Sequence, residues 1–166
     1  SARRQRQMCI RDSAGAHLVA ALSYDLCESN KPSPLAQVLI YPMVCPSLNY
    51  ESMELYKENF LLTKGSMQWF WEQLRRSEAD DHDPRFNLLK QEYTKELQTK
   101  TLIVTAGFDP LCDEGVVYAD LLENNGNEVK RLHFEELIHG FINLTNIRRA
   151  ESSTIKIFEN IKGYLK

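Results

Sequence analysis

The chain has 166 residues, of which 20 are Lys or Arg and 23 are Asp or Glu, so its formal net charge is −3. This slight acidity argues against nucleic acid or an anionic membrane surface as a partner. No run of apolar residues is long enough to cross a bilayer, so we expect no transmembrane segment. A chain of this length can bury one hydrophobic core, which indicates a globular domain.

The first twelve residues have an unusual origin in our interpretation. Residues 3–12, Arg-Arg-Gln-Arg-Gln-Met-Cys-Ile-Arg-Asp, back-translate into DNA that resembles a transposase adapter from sequencing libraries. We predict that residues 1–12 are translated adapter and exclude them from the expected fold; a natural basic arm is the alternative. Without these four arginines and one aspartate, 16 basic and 22 acidic residues remain, a net charge of −6. The Ser13 codon straddles the predicted junction.

Helix-like and strand-like segments alternate after this point. Apolar residues at helical spacing predict a helix over 15–28, which ends before a Pro-Ser-Pro stretch. The nearly continuous apolar run 36–41 predicts a strand that is buried on both faces, as in a parallel sheet. Residues 46–62 are expected to be irregular. Thr63 is a typical N-cap for a helix that continues to about Arg76.

The second half of the chain repeats the alternation. Residues 100–106 predict a second strand, and 113–125 a helix with Gly126 in the C′ position. A third strand is predicted over 128–134 and a final amphipathic helix over 151–165. Alternating strands and helices predict the α/β class, with a parallel sheet flanked by helices.

Three polar residues stand where such a sheet builds its sites. Ser13 opens the first helix, Asp109 follows the second strand and His139 lies in a turn beyond the third. The carboxyl ends of parallel strands meet at one edge of a sheet, so these side chains are expected to lie close together. The chain order Ser…Asp…His is that of hydrolases whose nucleophile sits on a sharp strand-to-helix turn.

The chemistry of these residue types assigns a role to each. Ser13 is the predicted nucleophile, and His139 the base that takes its proton. Asp109 is predicted to hold the imidazole tautomer. The backbone N–H of Ala14, at the start of a helix, is the predicted oxyanion-hole donor.

Each signal also has a structural interpretation. A Ser-Ala-Gly sequence commonly begins a helix, Asp109 before a proline can initiate a turn, and His139 before a glycine can be a loop residue. Only their combination in one order favours catalysis. Asp113 and Glu114 are better interpreted as charges at a helix N-terminus than as a second catalytic acid.

The cysteines give no sign of a metal site. Cys9 belongs to the predicted adapter segment, and Cys27, Cys45 and Cys112 lack metal-ligand spacing. They are expected to be reduced thiols of a cytoplasmic protein that needs no metal. Since we predict that the native N-terminus lies upstream, secretion stays an open alternative.

Seven short motifs occur in a characteristic order: D-S-A-G-A-H-L, Q-V-L-I-Y-P-M, E-N-F-L-L-T, M-Q-W-F-W, D-P-R, T-A-G-F-D-P-L-C-D-E-G and I-H-G-F. Over about residues 12–166 the chain resembles the hormone-sensitive-lipase-like family of α/β-hydrolases, the acetyl-esterase and arylacetamide-deacetylase type. The resemblance implies that residues 13–166 are the C-terminal half of a catalytic domain whose N-terminal strands are missing. It also implies that 46–90 include a cap or pocket-wall insertion.

The resemblance carries an activity. It implies hydrolysis of carboxylic esters, usually with short acyl chains, through an acyl-enzyme and without a cofactor. It assigns the triad to Ser13, Asp109 and His139.

The chain departs from the family pattern in two places. Arg11 stands where the family has the first glycine of the nucleophile turn. The family's H-G-G-G motif, which supplies the remaining oxyanion donors, does not occur and is expected upstream. We therefore expect the full gene to encode an active esterase and this chain to be inactive or nearly so.

Two alternatives remain. An amidase or peptidase-like hydrolase on the same fold would use the same triad. A non-catalytic binding protein also occurs on this family fold, in a hormone receptor that has lost the triad histidine, whereas His139 is retained here. The natural substrate, the acyl chain length and homo-oligomerisation stay open.

Overall fold

A computed structural model describes residues 8–94, 96–97 and 99–164. In these ranges a parallel sheet has the strand order β1-β2-β3-β4. The strands are β1 (Met8–Asp12), β2 (Ala36–Ile40), β3 (Lys100–Phe108) and β4 (Val129–Ile138). The helices are α1 (Ser13–Glu28), α2 (Glu51–Leu55), α3 (Lys64–Leu74), α4 (Cys112–Asn124) and α5 (Arg148–Tyr164). Short 3₁₀ turns cover Glu78–His82, Leu88–Lys90 and Phe141–Asn143.

Both faces of the sheet are covered by helices, because the central strands are apolar on both sides. All five residues of β2 are buried. Leu39 packs with α1 and α4 on one face, and Val38 and Ile40 pack with α5 on the other. The predicted α/β class, with helices flanking a parallel sheet, is therefore confirmed.

The insertion between β2 and β3 is anchored by a third apolar cluster. Met53 of α2 and two residues of α3, Met67 and Trp71, are buried there against Leu111. Thr63 caps α3 as predicted, with Oγ1 accepting a hydrogen bond from Ser66 N at 3.1 Å. The insertion therefore has a fixed position beside the residues that follow β3.

Most element boundaries agree with the sequence, and the differences have physical reasons. Helix α2 lies in a stretch expected to be irregular, because five residues are too few to show helical periodicity. Strand β4 extends to Ile138, beyond the predicted end at 134. Its added residues Glu135 and Glu136 are exposed, as charged residues on an edge strand commonly are.

The predicted adapter segment is partly described. Residues 1–7 lie outside the described residues, and Met8–Asp12 form β1, paired in parallel with β2 from Met8–Ala36 to Asp12–Ile40. We had excluded this segment from the fold, so β1 was not predicted. The adapter origin itself is a statement about DNA and stays a prediction.

None of the helices in the described ranges combines the length and the apolar character that crossing a membrane requires.

The sheet contains one position where a side chain cannot fit. Gly107 lies at a register shift between β3 and β4, and a Cβ there would overlap the backbone of Glu135. We predict that Gly107→Ala lowers the free energy of unfolding by about 3 kcal/mol, measured by urea denaturation. Gly65→Ala is the matched control, because a Cβ at exposed Gly65 meets nothing within 4 Å. Equal stability of the two variants would contradict this packing.

Candidate active site

The turn from β1 into α1 is tight and strained. Asp12 ends the strand in an extended conformation, and Ser13 begins the helix with no residue between them. Ser13 has φ of +46°. A residue other than glycine in this left-handed region costs of order 1–3 kcal/mol and commonly marks a functional site. The turn lies at the carboxyl end of β1, a strand that the sequence analysis did not predict.

Arg11, which stands where the family has a glycine, is accommodated in this turn. A Cβ added to Gly15 would lie 3.2 Å from the Arg11 Cβ and 3.3 Å from its Cδ. The arginine side chain therefore runs over the bare backbone of Gly15, and the residue is exposed.

The structure brings the three predicted triad side chains together. His139 Nε2 lies 3.0 Å from Ser13 Oγ, and His139 Nδ1 lies 2.8 Å from Asp109 Oδ2. With the proton on Nδ1, the imidazole donates to the carboxylate and Nε2 accepts from the serine hydroxyl. Ser13 and His139 are 126 residues apart in sequence.

Each partner of the serine is held by its own surroundings. Asp109 is fully buried, and its Oδ1 accepts a hydrogen bond from Leu111 N at 2.8 Å. His139 is 8% exposed, and its ring centroid lies 4.4 Å from that of Tyr41. Because both Asp109 oxygens have donors, the buried carboxylate is satisfied and orients the imidazole.

The segment after β2 (residues 41–45, here called the β2 loop) contacts the nucleophile turn. Met43 N donates to the Ser13 carbonyl at 3.4 Å. The Met43 carbonyl lies 3.2 Å from His17 Nδ1, one turn further along α1. Tyr41, also in this loop, has φ of +38°. The loop therefore contacts both Ser13 and His17, a role that no sequence signal indicated.

The predicted oxyanion donor, the backbone N–H of Ala14, belongs to the first turn of α1. Ala14 is the second residue of α1 and is exposed. The first four N–H groups of a helix have no acceptor within the helix, and the helix dipole favours negative charge there. The Ala14 N–H can therefore donate to an anion that forms beside Ser13.

Two buried ionisable side chains, Tyr41 and His17, contact the β2 loop or belong to it. Burial raises the pKa of the Tyr41 hydroxyl, and the charges of Asp12 and Asp109 raise it further. Burial lowers the pKa of His17, although its two ring nitrogens face backbone carbonyls. Both groups therefore stay neutral near pH 7.

An apolar wall lies beside the histidine. Leu61 is exposed and sits next to Gly140, where an added Cβ would lie 3.0 Å from its Cδ2. Phe60 stacks on Phe108 with ring centroids 6.1 Å apart, and Tyr56 meets both rings edge-on. Phe108 directly precedes Asp109 and is 41% exposed. The insertion therefore supplies apolar surface at the mouth of the site.

Metal binding has no candidate in the described part of the chain, where no three His, Cys, Asp or Glu side chains cluster closely enough to hold an ion.

Comparisons with known proteins identify the fold family. A family profile described as the α/β-hydrolase fold matches residues 3–143. The carboxylic ester hydrolase LipN of Mycobacterium tuberculosis is 41% identical over 160 residues, which cover 93% of this chain and 42% of LipN. The ethyl acetate hydrolase of Pseudomonas putida is 30% identical over 163 residues, covering 97% of this chain and 51% of that protein.

A solved structure has a similar fold. The Pyrobaculum calidifontis esterase superposes with a TM-score of 0.84 at 29% identity, over 93% of this chain and 51% of the esterase. Parallel sheet, strained serine and family match together define a hydrolase-fold protein. The chain belongs to the α/β-hydrolase fold family, and its relatives confirm the resemblance to the hormone-sensitive-lipase-like type. It spans about half the length of the curated relatives that it matches.

The strained turn makes a prediction about stability. Glycine adopts positive φ without steric cost, so Ser13→Gly should be more stable than Ser13→Ala by about 1 kcal/mol in urea unfolding. Ser153, in the middle of α5, is the control. There the order should reverse, because glycine is the poorer helix former. The same order at both positions would contradict a left-handed Ser13.

Proposed function

We propose that the chain carries the catalytic triad of a carboxylic ester hydrolase, with Ser13 as nucleophile, His139 as general base and Asp109 as the residue that orients the imidazole. The observation that carries the proposal is the continuous hydrogen-bond path Ser13 Oγ–His139 Nε2 and His139 Nδ1–Asp109 Oδ2. It supports general-base activation of a serine that is otherwise a poor nucleophile.

The reaction proceeds in two acyl-transfer steps. His139 Nε2 takes the proton of Ser13 as Oγ attacks the ester carbonyl, and returns it to the leaving alcohol. The same histidine then deprotonates a water that attacks the acyl-enzyme, and it returns that proton to Ser13 Oγ as the carboxylic acid leaves. Asp109 stabilises the imidazolium formed in each step without itself taking the proton.

The tetrahedral oxyanion of each step needs donors as well as a base. The Ala14 N–H is the donor proposed within this chain. Loss of one oxyanion donor typically costs 10²–10³ in kcat. Since the sequence contains no H-G-G-G motif, the chain is expected to acylate slowly and to turn over far more slowly than its relatives.

Labelling of Ser13 tests the proposal on the chain as it exists. A fluorophosphonate should add once per chain, seen as a mass increase, because phosphonylation needs an activated serine but no turnover. Ser13→Ala should abolish labelling, and His139→Ala should slow it at least about 10³-fold. His133→Ala is the matched control, since His133 contacts Thr105 instead.

Two results would contradict the assignment. If the wild-type chain is not labelled, Ser13 is not an activated nucleophile, and a non-catalytic binding protein is favoured. Labelling that persists in Ser13→Ala would move the nucleophile elsewhere.

The substrate is proposed to be a short-chain ester. The support is the resemblance to acetyl esterases and the name of the Pseudomonas putida relative, ethyl acetate hydrolase. The slow release of p-nitrophenol should be at least about tenfold faster from the acetate than from the palmitate, and faster than nitroaniline release from the matched anilide. Preference for the anilide would support the amidase alternative, and preference for the palmitate would refute short-chain specificity.

A further inference from the structure

Glu114 is a fully buried carboxyl that the triad does not use. Its Oε1 accepts a hydrogen bond from Val44 N at 2.6 Å, and the backbone of Cys45 is a second donor to the carboxyl. Its Oε2 has no hydrogen-bond partner within the described residues. The two backbone donors favour the charged carboxylate, but full burial outweighs them and favours the neutral acid.

The residue that follows Glu114 explains how it reaches the β2 loop. A Cβ on Gly115 would lie 3.0 Å from Thr105 Cγ2 and 3.8 Å from Pro42 Cδ. Without a Cβ here, α4 can pack directly onto β3 and onto the start of the loop. Its first turn therefore carries the Glu114 carboxyl to the Val44 amide.

The β2 loop that Glu114 holds contacts both reacting groups. On one side Met43 N donates to the Ser13 carbonyl. On the other side the Tyr41 ring packs on His139, with centroids 4.4 Å apart. The loop has one strained residue, Tyr41, so its conformation depends on such anchoring contacts.

We propose that Glu114 is a positioning residue for the reaction. It anchors the β2 loop, and through that loop it holds Ser13 and His139 at hydrogen-bonding distance. The proposal rests on the proposed triad chemistry. Glu114 touches neither substrate nor triad in this role. Its effect is on the distance between the serine hydroxyl and the imidazole.

The ionisation of Glu114 gives the role a signature. Burial raises the pKa of Glu114 well above its usual range, although the backbone donors Val44 and Cys45 lower it; the charge of Asp109 adds to the rise. Two other titratable groups face it, Cys45 and Tyr50. Burial raises the pKa of Cys45 to about 12 and also raises that of Tyr50, so both stay neutral over the working range.

The direction of the pH effect follows from linkage. The folded chain holds the Glu114 proton at a higher pH than the unfolded chain does. Its contribution to stability is therefore largest below the usual carboxyl range and falls as pH rises towards the folded-state pKa. Above that pKa Glu114 is a buried anion, and its charge weakens the anchoring of the β2 loop.

Three variants separate anchoring from simple packing. Glu114→Gln keeps an oxygen for the Val44 amide and cannot ionise, whereas Glu114→Ala removes the anchor. Glu123→Gln is the matched control, because Glu123 lies on the same helix but is exposed. The readouts are the rate of Ser13 phosphonylation from pH 6 to 10 and the hydrogen exchange of the Met43 and Val44 amides, both on the whole 166-residue chain.

The expected pattern is specific. Glu114→Ala should label at least about tenfold more slowly than wild type at pH 7, and Glu114→Gln within about threefold of it. The wild-type rate should fall on the alkaline side, and the fall should be absent in Glu114→Gln. A wild-type rate in folded Glu114→Ala, or the same alkaline fall in Glu114→Gln, would overturn the proposal.

Hydrogen exchange keeps the test independent of the triad chemistry. If wild type is not labelled at all, the proposed function fails and the exchange data decide on Glu114 alone. Anchoring predicts at least about tenfold faster exchange of the Met43 and Val44 amides in Glu114→Ala and little change in Glu114→Gln. Unchanged exchange in Glu114→Ala would overturn the anchoring role, and the same data show whether that variant is folded.

Discussion

The left-handed backbone of Ser13 is the constraint on which the site depends. A strand that ends at Asp12 and a helix that begins at Ser13 leave no residue to absorb the change of direction, so Ser13 adopts φ of +46°. The strain is balanced by packing: Gly15 gives room to Arg11, and the β2 loop supports the serine carbonyl. In this conformation the Ser13 hydroxyl lies within hydrogen-bonding distance of the His139 imidazole, 126 residues away in sequence.

The sheet converts distance in sequence into proximity in space. Serine, aspartate and histidine follow three different parallel strands, and parallel strands present all their carboxyl ends at one edge. The helices that cover the two faces fix the strands, while the loops between strands and helices carry the chemistry. The β2 loop belongs to the same edge, so α4 can influence the triad through Glu114 without touching it.

Residue order was enough to predict the class and the triad candidates, because each candidate follows a strand or opens a helix that has a clear apolar pattern. Other features depend on contacts that no local pattern encodes. Glu114 and Val44 are 70 residues apart, so the sequence indicated only a helix-terminal charge. Strand β1 was missed because its residues were assigned to an adapter. Arg11 was described from the sequence only as a departure from the family's glycine. In the structure its side chain passes over Gly15.

The central claim is that Ser13 attacks an ester carbonyl and becomes acylated. The most direct measurement is peptide mass spectrometry after the chain is mixed with p-nitrophenyl acetate and quenched in acid. We expect one acetyl group on Ser13, p-nitrophenol released in equal amount, and neither in His139→Ala. Acetylation of other residues without Ser13, or equal acetylation of Ser13 when His139 is absent, would contradict it.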